Sequence, residues 1–268
     1  MVCAALLAGC GAAKEKPVME VLDQKYKVEP DASLRINDPS GSIAIHGVDS
    51  SEVQLHATKV ANSDELIKNI SIGVNAQPND VLIKTSFVRA KGKPFLSTGR
   101  RVDYELSIPR TMKITRLDVD DGKVLIDSVQ TSELRANVVD GQMELRNCIG
   151  DIQVAVQNGD LSLLYGSNLQ LPAQSASVEA RVLHGTLTVS LPRSGPFHIR
   201  ATSVSGNITS AFAQDVQVAG GALRKIDISL GKSPRSEIQL NVRSGNIIIA
   251  DETADARTVG QTQAANPR

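Results

Sequence analysis

Acidic and amide residues recur beside glycine at regular spacing through the middle of the chain. In Val139–Leu164, VDGQMELRNCIGDIQVAVQNGDLSLL, Gly141, Gly150 and Gly159 stand nine residues apart. Asp140 and Asn158 precede two of these glycines, and Asp151 and Asp160 follow two. Carboxylates on a nine-residue beat invite comparison with calcium-binding nonapeptide repeats, where Gly-Gly-x-Gly-x-Asp turns cage the ion with carboxylates and carbonyls. Here the second and third glycines of that motif are missing. Asp151 and Asp160 fall on opposite corners of a nine-plus-nine unit and do not face one ion. The reading is therefore no metal.

The other groups that could do chemistry are scattered. His46, His56, His184 and His198 show no HxxxH or HxH spacing, whereas a zinc site needs three or four converging ligands. Neither a Gly-x-Ser-x-Gly elbow nor a Walker-type phosphate loop occurs. Lyases and glycosidases built on stacked strands gather carboxylates on one face over adjacent rungs. Asp118, Asp120 and Asp121 form the tight acidic group here, and they flank a corner where solvation accounts for them. Cys148, between Asn147 and Ile149, reads as a small core hydrophobe. No catalytic residue and no cofactor are assigned. One charge cluster is less ordinary: RAKGKPFLSTGRR carries Arg89, Lys91, Lys93, Arg100 and Arg101 with no acid. It could dock to lipid phosphates, lipopolysaccharide or an acidic partner, or form a solvated hairpin tip whose cations discourage edge pairing.

Charge and composition narrow the partners. There are 29 basic and 29 acidic residues, aromatics are 3%, and Trp is absent. That argues against a nucleic-acid binder and removes the usual stacking platforms. A core from a chain that is 41% hydrophobic must then use Val, Ile and Leu, which favour strands.

The N-terminus speaks to location. MVCAALLAGC ends in Leu7–Cys10, LAGC, which resembles the bacterial lipobox, where small residues admit a peptidase and the Cys thiol carries lipid. The charged n-region of a signal peptide is missing, so the expectation is a truncated chain or a misplaced start. Residues 1–9 read as signal peptide, Cys10 as the lipidated residue, 10–28 as a tether, and 251–268 as a disordered tail. Gly11 after the Cys is what such lipoproteins associate with the outer membrane. No stretch approaches the ~18 apolar residues of a membrane span.

Elements that would position these residues repeat at period two. LRINDPSGSIAIHG, EVQLHATKV, RVDYELSIP and EIQLNVRSGNIIIA each place apolar residues two apart, the strand period. One short helix is expected in NSDELIKN, capped by Ser63 or Asp64. Glycines 41, 122, 141, 159, 185, 206 and 245 recur with intervals of 19, 18, 21 and 39 among their later members. Periods near 20 residues indicate a repeat architecture. The expectation is an all-β, right-handed β-solenoid-like stack with ~18–20-residue rungs over residues 29–250, in which Gly41, Gly122, Gly141, Gly159, Gly185, Gly206 and Gly245 turn structural corners. Asp-Gly and Asn-Gly are also hairpin signals, so a β-sandwich or meander is the alternative.

The units SGSIAI, SGNITS and SGNIII, with the Pro-ended strands VDYELSIPR and GTLTVSLPR, resemble the bacterial putative-adhesin family, a group of unknown function. The resemblance covers roughly Ser33 to Ala250. It implies a β-solenoid-like body, often exported and lipid-anchored, and supplies no catalytic residues. The function expected is a non-catalytic, adhesin-like envelope lipoprotein. A regulatory envelope protein with a membrane partner is the second reading, and a polysaccharide-active enzyme the third.

Overall fold

The computed structural model describes residues 17–88, 99–167, 176–212, 217–218, 223–231 and 236–252. Its strands are β1 (Val18–Lys27), β2 (Ser33–Val48), β3 (Glu52–Ala61), β4 (Ile70–Gln77), β5 (Asp80–Phe87), β6 (Arg100–Pro109), β7 (Lys113–Asp127), β8 (Gln130–Arg146), β9 (Ile149–Leu164), β10 (Ala176–Leu191), β11 (Phe197–Ser205), β12 (Ile208–Ser210), β13 (Gln217–Val218), β14 (Arg224–Ser229) and β15 (Ser236–Asp251). One helix, α1 (Asp64–Lys68), follows β3; the Ser63 hydroxyl accepts from the Leu66 N–H at 3.3 Å and caps it.

The body is a parallel, in-register stack. β2, β7, β8, β9, β10 and β15 each pass through a glycine corner without leaving the ladder, and each lies directly on the next. Register places like on like. Ile36, Leu117, Ala136, Val154, Ala180 and Leu240 form one inward column, all buried. Each rung adds several such side chains, at roughly 1.5–3 kcal/mol apiece for the larger ones. A second corner closes the rung at Ser128 (φ 58°) and Asn147 (φ 49°), equivalent positions followed by buried Val129 and Cys148.

Chain order and spatial order part company at both ends. The rung beside β2 is made of two later strands: β5 pairs with Ser33–Asn37 and β6 with Ile43–Val48. At the other end β15 inserts between β10 and β11, so Gly245 stacks on Gly185 and Gly206 on Gly245. The 39-residue interval from Gly206 to Gly245 is thus a step backward through the stack. β15 offers sixteen residues that pair along nearly all of β10. β11 and β12 together form a broken rung that takes the outer place.

Two boundaries need correction. Residues 18–27 of the expected tether form β1, which pairs antiparallel with β3 over its whole length; Val18, Leu22 and Tyr26 pack on the core. Asp251 of the expected tail ends β15, is buried, and pairs with Arg193. Residues 253–268 lie outside the described residues.

Candidate functional site

The glycine column is the most regular feature of the molecule. Gly141 and Gly159 have φ of 141° and 137°, beyond the left-handed helical value near 57° that Asn or Asp tolerate. A Cβ on Gly141 would lie 1.8 Å from the Gly122 carbonyl oxygen, and one on Gly159 would lie 1.8 Å from that of Gly141. The same approach recurs at Gly41, Gly122, Gly185, Gly206 and Gly245. Glycine is needed because the rungs touch backbone to backbone.

Several acidic and amide residues at this corner bond its backbone directly, while Asn158 donates to Asp140 at 2.8 Å. Asp103 accepts from the Ser42 N–H at 3.0 Å, Asp160 from the Thr186 N–H at 3.1 Å, and Asn246 from the Asn207 N–H at 3.2 Å. Each satisfies a backbone donor on the adjacent rung. Asp118 pairs with Arg116. Among the described residues no group of three or more His, Cys, Asp or Glu side chains converges to hold a metal. The histidines stay apart, with His56 2.6 Å from Asp23, His198 2.8 Å from Asp227 and His46 3.8 Å from Asp127. Cys148 is buried, and its thiol faces the Ile126 and Arg146 carbonyl oxygens at 3.4 and 3.3 Å. Burial pushes its pKa up to about 12, so the thiolate needed for nucleophilic chemistry is suppressed.

Of the expected basic surface, Arg89, Lys91 and Lys93 lie outside the described residues, as does Cys10. Arg100 begins β6 and is buried; its guanidinium sits 5.0 Å over the Phe87 ring and donates to the Val88 carbonyl at 3.2 Å. Arg101 is exposed but pairs with Asp103 at 2.9 Å. Arg100 is thus a structural cation, not a tip residue.

Sequence reasoning misses Asp38. It occupies an inward position, and the column that continues from it is Val119, Val138, Val156, Val182 and Val242. Its carboxylate is 1% exposed, and neither oxygen has a hydrogen-bond partner in proper geometry. The neighbouring Thr85 and Tyr104 hydroxyls bond to each other at 2.7 Å. Burial raises the Asp38 pKa to about 7; Thr85 and the Ser40 backbone oppose this, and the charges of Asp103 and Asp120 add to it. The signal was available, because Leu34, Ile36 and Asp38 share one phase of the alternation.

The solvent side is the remaining candidate. Two depressions of about 410 and 480 Å³ lie on the outward face of β7–β10 and share Arg135, Gln153 and Glu179. The first is lined by Ala136, Val154 and Ala155 together with guanidinium, carboxylate and amide groups, and the second is the more polar of the two.

A stack of this kind, with many of its ionisable side chains engaged in corners and pairs, defines a scaffold that offers long outer faces. The chain belongs to the Toastrack DUF4097 family, whose model matches residues 21–250. Similar solved structures include a putative cell adhesion protein from Clostridium sporogenes, 18% identical, covering 87% of this chain and 100% of its own, TM-score 0.49. A putative adhesin from Bacteroides fragilis is 13% identical over 86% of this chain and 97% of its own, TM-score 0.33. A putative lipid binding protein from Parabacteroides distasonis is 9% identical over 87% and 94%, TM-score 0.29. No curated protein matches the chain. The family assignment rests on the family match alone.

Proposed function

We propose that this chain is a non-catalytic cell-envelope lipoprotein, held to the outer membrane by lipid on Cys10 and presenting its solenoid as an adhesive or structural surface. The observation that carries the reading is the short interval between LAGC and the body. Cys10 is followed at residue 18 by β1, the outermost strand at one end of the stack. Eight residues reach at most about 28 Å when extended. An anchor at Cys10 would therefore keep the β1 end near the bilayer and direct the opposite end outward. Arg89, Lys91 and Lys93, with Arg101 at the far end of the same stretch, would add contact with an anionic envelope component.

Cell fractionation tests the anchor. The chain expressed in its native host should partition with membranes, and the Cys10→Ala variant should appear in the soluble fraction, because acyl chains supply the durable part of such binding. Equal membrane retention of both forms would overturn the reading.

A further inference from the structure

The geometry points to a binding groove for a neutral polysaccharide on the outward face of β7–β10, with the sugar chain running across the strands. The inference rests on the reading of the chain as a non-catalytic envelope surface and names what that surface holds.

The groove is formed by two outward rows. Asp118, Asn137, Ala155 and Arg181 stand side by side on successive rungs, and so do Arg135, Gln153 and Glu179. Ala155 is the small member of its row, and the 410 Å³ depression opens over it. The adjoining 480 Å³ depression continues the groove past Glu133 and Asp151. Both are open to solvent, which suits a chain laid along the surface and not a small ligand enclosed in a pocket.

Three arginines line it, and each is held by a carboxylate two residues away: Arg116 by Asp118, Arg135 by Glu133 at 2.9 Å, and Arg181 by Glu179. Such pairing fixes the guanidinium planes while leaving N–H groups unspent, since each guanidinium carries five donors. Asn137 and Gln153 add both donors and acceptors between them. Planar groups of this kind bind hydroxyls two at a time.

Charge selects among partners. Arg116, Arg135 and Arg181 face Asp118, Glu133, Asp151 and Glu179, three cations against four anions. A polyanion would meet a slightly negative groove, so nucleic acid, anionic glycans and lipid phosphates are disfavoured. A protein partner is anchored by buried Trp, Tyr or Arg; the three arginines here are already held by their own carboxylates, and Ala155 is the apolar side chain that faces out there. What fits is a flexible, uncharged chain rich in hydroxyls. Rungs repeat about every 4.8 Å, so a linear polymer laid along the stack meets a fresh set of donors and acceptors at each rung.

The test is affinity electrophoresis of the full chain carrying Cys10→Ala, which reads binding in solution independently of the anchor. Native gels contain dextran, laminarin, galactomannan, the neutral polysaccharide fraction of the host envelope, or alginate as the polyanion. At least one neutral polymer should retard the protein, with little change on adding salt, and alginate should not. Asn137→Ala with Gln153→Ala should weaken retardation about tenfold while leaving the denaturation midpoint in place. Ala155→Lys, which fills the depression from an exposed position, should do the same. Retardation by alginate alone, by no neutral polymer, or equally in wild type and both variants would overturn the inference. Shortening of a polymer during incubation would instead overturn the non-catalytic reading beneath it.

Discussion

Gly141→Ala and Gly159→Ala should each lower unfolding free energy by at least about 3 kcal/mol, enough to threaten a domain whose whole stability is roughly 5–15 kcal/mol. Two effects combine. The backbone at φ 141° or 137° is strained for any residue with a Cβ, worth about 1–3 kcal/mol. The added carbon also meets a carbonyl oxygen of the adjacent rung at 1.8 Å, and that oxygen belongs to backbone that cannot swing away. Asn at either position should be no better than Ala, because φ near 140° is not the left-handed helical region that Asn tolerates. Gly73 provides the internal control. It lies in β4 at ordinary φ, and a Cβ there would find its nearest neighbour at 3.8 Å. Gly73→Ala should be neutral or stabilising by up to about 1 kcal/mol. Chemical denaturation of the three variants checks this; midpoints of the Gly141 and Gly159 variants within error of wild type would refute the backbone-contact column.

Asp38→Val should raise stability at pH 8 by an amount approaching about 4 kcal/mol and erase part of the pH dependence. Unfolded, Asp38 titrates at its ordinary 3.8; folded, it titrates at about 7. Between these values the folded chain keeps a proton that the unfolded chain has lost. Stability is therefore full below about pH 4 and falls as pH rises, near 1.36 kcal/mol per pH unit, until it levels above about pH 7. Valine extends the column of Val119, Val138 and Val156. Thr85 and Tyr104 keep their mutual bond, while the hydroxyl proton that this bond leaves over loses the Asp38 carboxylate as a neighbour, which offsets part of the gain. Denaturation of both proteins from pH 4 to pH 8 gives the difference curve. A gap that widens with pH is the expected outcome, and parallel curves would show that Asp38 does not carry the raised pKa.

Much of the body was legible because a solenoid writes its geometry locally. Period-two alternation places Ile36, Leu117 and Val154 inward, and backbone contact forces glycine at one phase of each rung from β2 onward, whereas the β5–β6 rung carries Val102 there. Three features were not legible. β1 carries Glu20 and Gln24 on its inward phase and Met19 and Val21 on its outward one, so its alternation is masked and only pairing with β3 makes it a strand. The insertion of β15 between β10 and β11 depends on a choice among distant strands that share the same local pattern. The outer groove arises from lateral neighbours such as Asn137, Ala155 and Arg181, eighteen and twenty-six residues apart in sequence, which become neighbours only once the register is known. Arg100 shows the reverse error. Charge density drew it into a surface cluster, while the strand phase of β6 turned it inward against Phe87.

The proposed anchor would fix this wall of strands to the envelope at its β1 end. The intact mass of the protein extracted from membranes of its native host measures that directly. The expected product is a chain beginning at Cys10, heavier than its amino-acid sequence by the mass of attached acyl chains, whatever residue translation starts from. An unmodified chain that retains residues before Cys10 would contradict it.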